Sequence, residues 1–109
     1  MADRIDLRDL EKMIDRGDHF RLIEVEDADE YARGHVPGAV HLPPERVRER
    51  AAELLPDRED QIVLYCRDER CEAARETAAI LDELGYGKVL RFDGGKRAWV
   101  EAGHPLETD

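Results

Sequence analysis

The sequence predicts an α/β fold on a mostly parallel sheet, and three observations carry that reading. Segments of strand length and segments of helical spacing alternate along all 109 residues. The run QIVLYC, residues 61 to 66, is apolar without alternation, as a strand buried on both faces of a parallel sheet requires. The following run, CEAARETAAILDELGYG, sets Cys71, Ala74, Ala78, Leu81 and Leu84 along one helical face and stops at Gly85.

The remaining elements follow in chain order. IDLRDLEKMIDRG places Leu7, Leu10, Met13 and Ile14 at helical spacing and ends at Gly17, which reads as a short opening strand or turn and then an amphipathic helix. FRLIEV, residues 20 to 25, reads as a strand. DADEYARGHVPGA opens on Asp residues suited to capping a short helix and breaks into a turn at Gly34, Pro37 and Gly38. AVHLP is a short strand. PPERVRERAAELL has Pro44 in a favourable first-turn position and Val47, Ala51 and Leu54 or Leu55 on one side, so a second surface helix ends before Pro56. Beyond the helix that follows Cys71, KVLRF is the last strand, DGG its turn, and GKRAWVEAG a final short helix with Trp99 as core. The tail HPLETD closes the fold. With no repeat, low-complexity tract or linker, residues 1 to 109 are expected to form one domain, long enough for a single core.

Composition excludes several function classes. Seventeen basic against 27 acidic residues leave a net charge of -10, so phosphate backbones and anionic membrane surfaces are repelled. Nucleic acid and membrane are therefore not expected partners. Fourteen of the basic residues are Arg and the acids are spread along the chain, the pattern of a heavily solvated surface. The N-terminus has no apolar segment for a signal peptide, and no stretch approaches the roughly 20 apolar residues of a membrane span. A cytoplasmic location is the expectation, and with it two free thiols at Cys66 and Cys71.

The chemistry concentrates at Cys66, the last residue of the central strand. In open α/β sheets ligands bind beyond the carboxyl ends of the strands, where loops lead into helix N-termini. A thiol there meets unpaired backbone N–H groups and the positive end of a helix dipole, both of which favour the nucleophilic thiolate. Against this stands the ordinary behaviour of a free Cys as a small buried apolar residue.

Two long segments carry a resemblance. LIEVEDADEYARGHVPGAVHLP resembles the strand and turn signature of rhodanese-like domains, and YCRDERCEAARETAAILDELGYGKVLRFDGGKRAWVEAGHPLE resembles their active-site loop, following helix and C-terminal GG…W…G.P ending. In order and spacing the match runs from about Leu22 to Glu107. The resemblance implies a central five-stranded parallel sheet flanked by helices. It also implies a sulfurtransferase whose catalytic Cys takes a sulfane sulfur as a persulfide and passes it to a thiol or other nucleophile. On the motif match that residue is Cys66, and the substrate-binding loop is Arg67, Asp68, Glu69, Arg70, Cys71 and Glu72. The implied partners are a small sulfur donor or persulfide-carrying protein and a thiol acceptor. No cofactor is implied, and the oligomeric state is not indicated.

Three features depart from the family pattern. Glu24 and Glu26 stand where the strand signature carries Asp and Arg, the second a reversal of charge. The loop side chains sum to -1, so a small anion such as thiosulfate gains little unless Arg67 and Arg70 turn inward. The loop resembles the longer CxxxxC variant, in which Cys71 either resolves a persulfide or sulfenate on Cys66 as a reversible disulfide or packs as a small residue in the first helical turn.

Other readings are weaker. Related phosphatases use Cys-x5-Arg, and here that position is Glu72, which repels phosphate. His19, His35, His41 and His104 lack paired ligand spacing with each other or with the Cys residues, so no metal site is expected. His35 belongs to the GHVPGA turn and His41 to a strand edge. GGK at 94 to 96 lacks the rest of a phosphate-binding loop. A binding, regulatory or redox-sensing module that uses the Cys66/Cys71 pair is the alternative to an enzyme.

Overall fold

The computed structural model describes residues 3–108. In chain order its elements are β1 (Asp3–Ile5), α1 (Leu7–Asp15), β2 (Arg21–Glu24), α2 (Ala28–Arg33), β3 (Val40–His41), α3 (Val47–Leu54), β4 (Ile62–Tyr65), α4 (Ala73–Glu83), β5 (Val89–Phe92) and α5 (Gly95–Glu101). A 3-10 turn, Pro44–Arg46, leads into α3, with proline at the position where a missing N–H costs nothing. The strands pair in parallel in the order β1-β5-β4-β2-β3. This is the expected α/β fold on a five-stranded parallel sheet.

The unbroken apolar run of β4 is explained by helices on both faces. Val63 and Tyr65 pack with Leu10, Met13 and Trp99 on the side of α1 and α5. Ile62, Leu64 and Cys66 pack with Val47, Ala51, Ala74, Ala78 and Leu81 on the side of α3 and α4. Alternate residues thus serve two cores, and all four residues of β4 are buried.

Local signals position the helices. Asp6 caps α1, its carboxylate accepting the Asp9 N–H at 2.8 Å while the Asp9 carboxylate accepts the Asp6 N–H at 3.1 Å. Asp27 caps α2 by accepting the Glu30 N–H at 2.9 Å. The stripe expected on α1 is narrower than its spacing suggested. Leu10 and Met13 are buried, whereas Ile14 is exposed on the edge of the stripe away from Met13. The tail closes the molecule by pairing with the GHVPGA turn: the His35 and Glu107 backbones exchange two hydrogen bonds at 3.0 and 2.9 Å, and the Glu107 carboxylate accepts the Gly38 N–H at 2.9 Å.

Candidate active site

Cys66 follows directly on β4, between the carboxyl ends of its neighbours β2 and β5. The start of α5 clamps its backbone, with the Lys96 N–H donating to the Cys66 carbonyl at 3.0 Å and the Arg97 N–H to the Arg67 carbonyl at 2.9 Å. Gly95 makes this approach possible. A Cβ there would lie 2.5 Å from the Cys66 carbonyl oxygen, and its φ of +64° is in the left-handed region.

The expectation of two free thiols is corrected: Cys66 and Cys71 are joined by a disulfide, with their Cα atoms 6.2 Å apart. The loop accounts for it. Asp68 accepts the Cys71 N–H on its carbonyl at 3.2 Å and the Arg70 N–H on its carboxylate at 2.9 Å, a tight turn that folds Cys71 back over the end of β4. The same turn delays α4, which begins at Ala73 rather than near Cys71. Cys66 is only 3% exposed, and Cys71 is the more accessible sulfur.

A carboxylate stands against both sulfurs. Glu26 Oε1 lies 3.1 Å from Cys66 Sγ and 3.7 Å from Cys71 Sγ, and its Oε2 lies 3.9 Å from the Arg67 guanidinium. Burial pushes the Glu26 carboxyl above the usual carboxylate range, with nearby Glu30, Asp27 and Glu24 adding to the shift and Arg67 opposing it. Bonded sulfurs carry no hydrogen to donate, so in the closed state these distances are close contacts of a carboxyl oxygen with the disulfide. The sequence marked Glu26 only as a reversal of charge and missed it as a site residue. Strand alternation places Glu26 with Glu24, toward α5. The chain instead leaves β2 after Glu24 and bends at Glu26, turning its side chain to the sulfur.

Beneath the other face of the sheet end lies a second missed group. Glu24, fully buried, accepts the Tyr65 hydroxyl at 2.6 Å and the Lys96 ammonium at 2.9 Å. The Lys96 Nζ also donates to the Glu30 carbonyl at 2.9 Å, and the Tyr65 oxygen accepts the Val36 N–H at 3.0 Å. Burial, and then the Glu24 carboxylate, push the Tyr65 hydroxyl up, so it remains a donor. This network ties α5, the GHVPGA turn and β2 to the strand that carries Cys66. The glycines before Lys96 were legible as a turn, but its charge gave no sign of burial.

The loop arginines are solvent-exposed. Arg67 is exposed, with its guanidinium at the rim beside Glu26; Glu69, Arg70 and Glu72 are also exposed. Glu72 lies 3.4 Å from the Arg75 guanidinium. The histidines stand apart from the site chemistry. His35 is buried, its Nδ1 3.2 Å from the Tyr31 carbonyl and its ring stacked on Tyr31. His41 Nε2 meets the Glu26 carbonyl at 2.5 Å, which helps hold the bend. Glu26, Cys66 and Cys71 bring one ligand atom each within 4.8 Å of one another. The disulfide ties up the thiolates a metal would require.

A family model described as Rhodanese-like domain matches residues 6–102. The chain belongs to the rhodanese-like family. A sulfurtransferase of Allochromatium vinosum is 32% identical over 108 residues, covering 97% of this chain and 95% of the relative. The HTH-type transcriptional regulator Rv0324 of Mycobacterium tuberculosis is 38% identical over 86 residues, covering 79% of this chain but 37% of the regulator. Among solved structures, the BH2092 protein from Bacillus halodurans matches with a TM-score of 0.88 at 28% identity, over 98% of this chain and 77% of that one. The rhodanese-like chain thus spans nearly the whole of one relative and little more than a third of another. Among its described residues no helix is long and apolar enough to cross a membrane.

Proposed function

We propose that this rhodanese-like chain is a sulfurtransferase that takes a sulfane sulfur onto Cys66 as a persulfide when the disulfide is open, and passes it to a thiol or other nucleophilic acceptor. The observation that carries the reading is the place of Cys66: at the carboxyl end of the central strand, under the loop 67 to 72, with its backbone held by α5. The named sulfurtransferase that matches almost end to end supports the same class. In the forward step the Cys66 thiolate attacks the outer sulfur of the donor, a Cys66 S–S bond forms, and the donor departs with the electron pair of its broken bond. Two features argue against a small dianion as the preferred donor. Asp68 uses the Arg70 N–H inside the loop, and the Arg67 and Arg70 side chains are solvent-exposed, with Glu26 offsetting the Arg67 charge. A neutral or singly charged sulfur donor, such as mercaptopyruvate, suits the site better.

The test is intact-mass measurement of the reduced protein after incubation with thiosulfate and, separately, with mercaptopyruvate, alongside cyanolysis assays. The expected result is a gain of one sulfur on Cys66, read in Cys71→Ser so that the second thiol cannot close on it, and lost in Cys66→Ala. Absence of that gain and of any turnover with both donors overturns the proposal.

One observation favours a second reading. The Cys66–Cys71 disulfide is the oxidised form of a two-thiol switch, and a redox-sensing or regulatory module would use it without turnover. Under that reading oxidant forms the bond while no donor loads Cys66.

A further inference from the structure

We propose that the Cys66/Cys71 pair, with Glu26 relaying the proton, discharges the sulfur held on Cys66 as hydrogen sulfide, so that the chain acts as a sulfane-sulfur reductase. The inference rests on Cys66 as persulfide carrier and adds a second fate for its sulfur.

Three groups from separate parts of the chain converge here: Cys66 after β4, Cys71 before α4, and Glu26 after β2, whose Oε1 lies 3.1 Å from one sulfur and 3.7 Å from the other. The bond between the two sulfurs is the product that attack by Cys71 on a Cys66 persulfide leaves behind. In that step the Cys71 thiol gives its proton to the Glu26 carboxylate, and the resulting thiolate attacks Cys66 Sγ. The Cys71–Cys66 bond forms as the bond from Cys66 to the outer sulfur breaks. The outer sulfur leaves with that electron pair and takes the proton from Glu26 to depart as hydrosulfide. In this step the outer sulfur gains one electron and the Cys71 sulfur loses one, while Cys66 passes from the persulfide to the disulfide at the same oxidation level. Glu26 ends in its starting form. Its burial suits it to hold the proton between the two events. A nucleophile already within bonding reach competes with an external thiol acceptor for the same sulfur. A further cycle requires an external dithiol to reopen the disulfide, and Cys71 is the sulfur it meets more readily.

The experiment is a single turnover. Fully reduced protein, freed of reductant under nitrogen, is mixed with thiosulfate or with mercaptopyruvate; trapped sulfide and intact mass are then measured. In wild type the expected result is about one sulfide per chain, as the single disulfide formed requires, with the mass of the protein lower by two hydrogens. Cys71→Ser, and Cys71→Ala as a second variant, are expected to keep the sulfur on Cys66 and to release at least roughly ten-fold less sulfide. Glu26→Gln is expected to slow release by roughly 100-fold without changing the final yield; an unchanged rate removes Glu26 from the step. A wild-type persulfide that persists beside a free Cys71 thiol overturns the inference and leaves the sulfurtransferase reading standing. No sulfur on Cys66 in wild type or in either Cys71 variant overturns both.

Discussion

Gly95 shows how much one residue without a side chain contributes to the site. A Cβ at this position would collide with the Cys66 carbonyl, a backbone atom that cannot swing aside, and the left-handed φ adds its own cost. Gly95→Ala is expected to lower stability by at least about 2 kcal/mol in denaturant unfolding. Glu26 makes a different prediction, about pH. Its carboxyl is held above the ordinary range when folded, so the folded chain binds a proton that the unfolded chain has already released. Stability therefore falls as pH rises from the ordinary carboxylate range through the raised value. Glu26→Gln lacks this loss. With the disulfide kept closed, its melting temperature relative to wild type is expected to climb as pH rises above the ordinary carboxylate range. A gap independent of pH would count against the assignment.

At the level of elements, α5 is anchored by an ion pair that crosses to β2. Lys96 Nζ and Glu24 Oε2 are 2.9 Å apart, with the carboxylate fully buried. Removing one partner of such a pair leaves a charge without solvent or counter-ion. Lys96→Met is expected to cost about 3 kcal/mol, and Glu24→Gln in the same chain to recover most of it, since an amide oxygen still accepts the Tyr65 hydroxyl. Denaturation of the two single variants and the double variant gives the coupling directly. The elements themselves were largely legible. β4 announced itself through four consecutive apolar residues that face two cores, and α4 through alanines and leucines at helical spacing. The start of α4 was not, because the Asp68 turn holds Cys71 and Glu72 outside the helix. Ile14 was misplaced for a related reason: spacing identifies a helix but does not set how wide a stripe its neighbours cover.

For the whole molecule the disulfide joins the two thiols whose relation the sequence left open. Its partners are five positions apart in sequence, and closing so short a loop removes about 2 kcal/mol of unfolded-chain entropy on the entropic model. Reduction is expected to lower the melting temperature by on the order of 10 °C, which calorimetry with and without a reductant checks. In Cys71→Ser the reductant should then make no difference. The local and global consequences are linked, since the bond closes the loop over the very end of the central strand.

Read alone, the sequence determined the alternating α/β class, the central place of residues 61 to 66 and the position of Cys66 at a strand end before a charged loop. Each of these follows from chain-local information: periodicity, turn residues and the order of motifs. Only the tertiary structure decided that Glu26 faces the sulfur, that Lys96 is buried against Glu24, and that Cys71 is bonded to Cys66. The first two join residues 40 and 72 positions apart, and the third depends on how a short turn aims one side chain. Such contacts are set by the direction in which the chain leaves each strand, which residue type and spacing do not encode.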